Sequence, residues 1–211
     1  MIRIITIERE FGCGAAQIAE KIAARLNWKL WDQLLTQEIA RLANCKQSEV
    51  ELREERRDPL YRRLLKSFAL GSYEGNLGVY PIETLDADSI VKLSERVVRQ
   101  VAETGNCVIV GRGAQHFLQD RKDTLRFFLY APKAEKVRRL ISEGNSQQHA
   151  EALVDIVDRE RAAFIRNYFH VEWPNLPVYH AMINTMAGDE TVVNAILSFL
   201  KQDRPTEAAA D

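Results

Sequence analysis

The sequence predicts an α/β fold in which a parallel five-stranded sheet is covered by helices on both faces. Three observations predict it. Short apolar runs near residues 2–7, 28–31, 107–111, 125–130 and 180–185 alternate with amphipathic helical stretches, the pattern of successive βαβ units. The main runs are apolar at consecutive positions, as strands buried on both faces are. The first and third of them break into glycine turns, Gly12/Gly14 and Gly111/Gly113, and ligands of open parallel sheets collect at such strand ends. Right-handed crossovers restrict the topology to a few doubly wound orders.

The first run, Ile2 to Ile7, delivers the chain to Gly12 and Gly14, which tolerate positive φ and leave room for an oxyanion beside the backbone. A helix follows, with Ile18, Ile22 and Leu26 on one face and Ala19 and Ala23 beside them. Strand, glycine turn and helix N-terminus form the layout of a phosphate-binding loop, here Gly12, Cys13, Gly14, Ala15 and Ala16. The loop departs from the pattern G-x-x-x-x-G-K-S/T. Ala15 stands at the lysine position and Ala16 at the hydroxyl position. The alternative reading is a tight turn between the first strand and helix.

Residues 27–31 form a short second strand, and Asp32 stands at its end. It is placed to meet a ligand and also to cap a helix beginning at Gln33, and the two roles are compatible. Residues 33–44 are helical, with Leu34, Leu35, Ile39 and Leu42 on one stripe, and a second helix spans about 46–70. The charge run from Glu49 to Asp58 reads as a solvated face or as the rim of a mobile substrate-binding segment. Residues 71–88 make a long loop and 89–104 a helix ended by Gly105.

Arg112 lies between Gly111 and Gly113 at the end of the third strand. There a guanidinium suits a phosphate or a base edge better than a surface ion pair. After the strand at 125–130, residues 133–143 form a helix carrying Arg138 and Arg139. Arg159, Arg161 and Arg166 share a later helix; 159 and 166 fall on one face, with 161 farther round. They read as groups that neutralise a transferring phosphate, or as intrahelical partners of Asp155, Asp158 and Glu160. Asp189 opens a closing helix to about Leu200, and the tail from Asp203 frays.

At 211 residues and 46% hydrophobic, the chain supports one sizeable core. A net charge of −1 gives no argument for a nucleic acid polymer or an anionic membrane. Neither a spanning apolar run nor a signal peptide is read, so a cytoplasmic location is expected. Cys13, Cys45 and Cys107 are odd in number and widely spaced, which argues against disulfides and zinc. Cys107 reads as core. Cys13, in a turn at a helix N-terminus, reads as a small filler or an activated thiol. No metal-ligand spacing is found.

Four blocks, Ile5–Gly14, Trp31-Asp32, Val108–Arg112 and Asp158–Ala163, resemble the cytidylate kinase-like family of P-loop kinases, with the likeness running from Ile2 to about Leu200. The resemblance implies a three-layer P-loop kinase-like fold with strand order 2-3-1-4-5. Residues 1–202 would form one domain, 33–88 its monophosphate-binding insert, 144–175 its lid and 203–211 a tail. It further implies transfer of the γ-phosphate of ATP, with Mg2+, to a nucleoside monophosphate of the CMP or dCMP kind or a related small acceptor. Asp32 and Arg112 would bind the acceptor, and Arg159, Arg161 and Arg166 would close over the transferring group. With no loop lysine, Arg9 is the candidate replacement cation.

Members of this group commonly carry serine-arginine-glutamate-phenylalanine-glycine-serine-glycine-glycine-arginine at the loop; here Glu8 replaces the serine and Ala16 the arginine. An arginine that binds CMP in other members falls near Glu38. The expected partner is therefore a small-molecule nucleotide, with a homodimer the one protein partner admitted. Two alternatives are a catalytically impaired nucleotide- or anion-binding module of the same fold and a purely structural protein.

Overall fold

The computed structural model describes residues 1–32, 34, 35, 37–39, 41, 42 and 87–202. Cys45, the charge run, the helix expected at 46–70, the loop from 71 to 86 and the tail from 203 lie outside the described residues.

The first strand, β1 (Ile4–Arg9), is buried along its whole length. Its side chains alternate between two cores, as the period of two demands. Ile5 and Ile7 pack on one face of the sheet with α1 (Ala15–Leu26) and α6 (Asp189–Gln202). Ile4 packs on the other with α2 (Ala87–Thr104) and the short helix α3 (Ala114–Phe117). The order is β2-β3-β1-β4-β5, with β2 (Lys29–Trp31), β3 (Cys107–Val110), β4 (Thr124–Tyr130) and β5 (Ala181–Asn184), and every pairing is parallel. All five strands therefore point their carboxyl ends to the same edge.

A third apolar cluster lies at that edge. There α4 (Lys133–Ser142) packs on α5 (Gln147–Phe169) through Val137, Leu140, Ala150, Val154 and Val157, and Phe11 of the loop joins them. The far end of α5 is fixed too: Phe169 stacks on His116 of α3 with ring centroids 4.4 Å apart.

The structure moves several expected boundaries. β1 continues through Glu8 and Arg9, which are strand residues rather than loop residues. α2 begins at Ala87, inside the expected loop, and α3 was not expected. The described positions from 34 to 42 are helical, with Leu35 and Ile39 in the core. No described helix is long and apolar enough to cross a membrane.

Candidate active site

Gly14 caps α1 in the left-handed conformation, φ 81°, and no side chain caps that end. Helix amides without an intrahelical acceptor there attract anions. The preceding carbonyl, of Cys13, accepts from the Thr185 hydroxyl at 2.7 Å and from the guanidinium of Arg139, which covers Gly14. Because the peptide is trans, the Gly14 N–H points the opposite way. The Cys13 thiol is buried and donates to the Leu129 carbonyl at 3.6 Å, and Ala15 and Ala16 are buried in the first turn of α1. At Gly12, α4 packs so close that an added Cβ would stand 3.1 Å from the Lys136 Cβ.

Three guanidiniums besides that of Arg139 gather beside this loop. Arg9, at the end of β1, and Arg112, after β3, are 5% and 6% exposed, and Arg161 of α5 is 8% exposed. Arg161 Nη1 donates to the Arg9 carbonyl at 3.0 Å and lies 3.5 Å from Asp158 Oδ1. Its Nη2 is buried with no hydrogen-bond partner among the described residues. Burial, aggravated by the charge of Arg9, pushes Arg112 down to about 9 and Arg161 down to about 10. A buried cluster of like charges on this scale favours an anionic ligand. Asp32, 5% exposed, partly offsets Arg112 electrostatically. Its capping role falls at Gln33, outside the described residues.

Arg159 and Arg166 are not brought to this cluster. Arg166 is exposed and pairs with Glu172 at 2.8 Å, and Arg159 is exposed near Asp155. They share a face as expected, and that face is the outer one. Arg112 adopts φ 59°, between Gly111 at 68° and Gly113 at 71°. Three successive left-handed residues, one of them not glycine, mark a backbone whose strain the surrounding packing must hold.

The loop also meets Lys136, which the sequence reading did not single out, together with carboxylates. Lys136, 6% exposed, pairs with Glu10 at 3.0 Å and Asp158 at 2.9 Å. Burial pulls its ammonium down, but the two carboxylates outweigh burial and hold it above its ordinary value. Asp158 Oδ1 accepts from the Phe11 N–H at 2.7 Å, so a protein carboxylate occupies the amide just before the loop. Glu8 is 4% exposed; its Oε2 accepts from Gln115 Nε2 at 2.6 Å and its Oε1 from the Arg9 N–H at 3.1 Å. The spacing of three between 136 and 139 and between 158 and 161 puts each pair on one helix face, a signal available in the sequence.

The profile of the cytidylate kinase-like family matches residues 4–187, from β1 to the turn before α6. The chain belongs to the cytidylate kinase-like family. A cytidylate kinase of Methanosarcina mazei is 28% identical over 82 residues, 38% of this chain and 46% of that protein, so the match spans less than half the relative's length. Among solved structures, an uncharacterized protein from Eubacterium ventriosum superposes with TM-score 0.67 at 23% identity, covering 96% of this chain and 99% of that one. A shikimate kinase from Bacteroides thetaiotaomicron gives 0.51 at 14% identity, over 95% and 99%. These likenesses show a P-loop kinase fold.

No group of three or more His, Cys, Asp or Glu among the described residues is placed to hold a metal ion. A magnesium ion at this family member's loop would take most ligands from phosphate oxygens and water, with Glu8 or Asp32 as the carboxylate at hand.

The imidazole of His116 is held below its ordinary 6.5 by burial, against the pull of Glu8. The unfolded chain therefore takes up this proton first on acidification. The stabilisation is whole above pH 6.5 and is lost as the pH falls through the lower folded value. His116→Phe keeps a ring under Phe169 and removes the titration; its Tm is expected to fall less than the wild type's between pH 6.5 and 5, about the ordinary range of histidine. Equal slopes in thermal melts would refute this.

Proposed function

We propose that this chain is a phosphotransferase that moves the γ-phosphate of ATP, with Mg2+, to a small acceptor: a nucleoside monophosphate of the CMP or dCMP kind or a related molecule. The observation that carries the reading is the gathering of Arg9, Arg112 and Arg161, all nearly fully buried and close enough to feel one another's charge, at the sheet edge that also carries the uncapped N-terminus of α1. In this reading the amides of Gly12 to Ala16 receive the donor phosphates, and Arg161 and Arg9 supply the charge that a loop lysine supplies elsewhere. Asp32 and Arg112 face the acceptor. Phosphoryl transfer depends mainly on positioning and charge neutralisation, so the cation's place in sequence matters less than its place in space. Bound magnesium would neutralise phosphate charge. Residues 1–202 act as one domain, with 33–88 as acceptor insert and 144–175 as lid.

A second reading, a nucleotide- or anion-binding module without turnover, is favoured by the Asp158 carboxylate on the Phe11 amide, which puts a negative charge at the edge of the loop. Measuring ADP release from the purified chain with ATP, Mg2+ and a panel of monophosphates and small hydroxyl compounds separates them. Release that depends on one acceptor supports the transferase. Micromolar ATP binding by calorimetry with no acceptor-dependent release selects the binding module.

A further inference from the structure

The phosphate loop is gripped at the Cys13 carbonyl by two side chains from distant parts of the chain. The Thr185 hydroxyl donates to that oxygen at 2.7 Å, and the Arg139 guanidinium donates to it through Nη1. The same Nη1 stands 3.3 Å from Thr185 Oγ1, so the three groups close a triangle. A carbonyl oxygen has two lone pairs, and here both meet protein donors.

Both donors are themselves held. Thr185 is fully buried, on the one-turn 3-10 helix Thr185–Ala187 that follows β5. That turn is stitched by the Asn184 side chain, which accepts from the Met186 N–H at 3.0 Å, and by the Gly188 N–H, which donates to the Thr185 carbonyl at 3.1 Å. Arg139, on α4, is aimed by Glu135 one turn earlier, whose Oε1 accepts from its Nε at 3.1 Å. An added Cβ at Gly14 would overlap Arg139 Nη1 and stand 3.2 Å from its Cζ. Glycine at 14 therefore makes room for the guanidinium as well as allowing φ 81°.

The consequence falls on the other end of the same peptide. Fixing the Cys13 oxygen fixes the Gly14 N–H antiparallel to it, because the unit is planar and trans. Cys13 lies between two glycines at positive φ, 77° and 81°. Glycine backbone has several conformations open to it, so one orientation of this peptide needs a hold from outside the loop. Donation into the carbonyl, by a cation in one case, also polarises the amide and strengthens its N–H as a donor. Ala15 and Ala16 carry no side-chain donor. What this stretch of the loop itself offers a phosphate is backbone N–H, and the aim of those groups matters the more for it.

We propose that Thr185 and Arg139 are positioning residues of the phosphate loop: they clamp the Cys13 carbonyl so that the Gly14 N–H is held toward the donor phosphates. This rests on the phosphotransferase reading, which puts those phosphates on the loop. In this role neither side chain needs to touch the nucleotide, since both act through one peptide.

The experiment is calorimetric titration of the full chain with ATP and Mg2+, with acceptor-dependent ADP release and thermal melts on the same samples. Thr185→Val removes the hydroxyl at nearly constant volume and is expected to raise the Kd for ATP about tenfold, the worth of about one hydrogen bond to a charged group. Thr185→Ser, which keeps the hydroxyl, is expected to return it to within about threefold. Arg139→Met is expected to match Thr185→Val. Its side chain is 21% exposed, so it tests the clamp should Thr185→Val not fold. In turnover the loss is expected in KM for ATP, with the acceptor KM within about twofold. An unchanged Kd in the folded variants overturns the clamp, as does a loss that Thr185→Ser fails to restore or one confined to a single position. ATP binding without acceptor-dependent release overturns the transferase reading alone, and the Kd values then decide the clamp. No ATP binding by the unaltered chain overturns both.

Discussion

Arg161→Ala is expected to lower kcat/KM for phosphoryl transfer by about a thousandfold, while Arg166→Ala changes it by less than about twofold. The two arginines sit on one helix, five positions apart, yet in different media. Arg161 is 8% exposed, tied to the Arg9 carbonyl at the mouth of the phosphate loop. Arg166 is exposed and paired with Glu172. A guanidinium that neutralises charge in the transition state is worth about 10³ or more in rate, or about 4 kcal/mol. An exposed ion pair is worth about 0 to 1 kcal/mol, none of it specific to the reaction. Arg112→Ala is expected to behave like Arg161→Ala. Steady-state ADP release with the acceptor found in the panel measures all three, with Arg161→Lys recovering part of the loss because it keeps the charge and drops the fork. A larger effect at 166 than at 161 would mean that the transferring group lies elsewhere.

Gly111→Ala should lower Tm by about 5–10 °C and remove most activity, whereas Gly144→Ala should do little beyond the cost of its conformation. Both glycines have positive φ, 68° and 98°. Placing an L side chain there costs about 1–2 kcal/mol at either site. Only Gly111 meets an obstacle: an added Cβ would overlap Nη1 of Arg9 and stand 3.0 Å from its Cζ, while nothing lies within 4 Å of Gly144. The Arg9 guanidinium would have to leave its buried position, and with it goes one of the three charges of the cluster. Thermal melts and ADP release on both variants check this. Equal losses would show that Arg9 relaxes without consequence.

Much of the sheet was legible because its cause is local. A β-branched run, two glycines and an apolar stripe at helical spacing specify β1, the turn and α1 in sequence order. The inward turn of Arg161 was legible by a different comparison. Set against Arg159 and Arg166, it merely falls on another face. Set against Ala150, Val154, Val157, Phe164 and Ile165, it lies in the apolar stripe that packs α5, so its guanidinium enters the core. Lys136 was not legible in this way. Its partner Glu10 is 126 positions away, and only the packing of α4 against Gly12 brings them together. The left-handed Arg112 is likewise a product of tertiary context, since nothing in Gly-Arg-Gly forces the central residue to positive φ.

In the proposed reading, the Asp158 carboxylate on the Phe11 amide stands at the edge of the loop as a tethered rival to a phosphate oxygen. A competitor carried on the same chain cannot be diluted, and its effective concentration, on the order of millimolar for a flexible tether, is raised further by the rigid packing of α5. In the proposed reading, the affinity for phosphate is lowered by whatever this tethered carboxylate has to give up. The Phe11 amide is thereby never left bare, and the same carboxylate also holds Lys136.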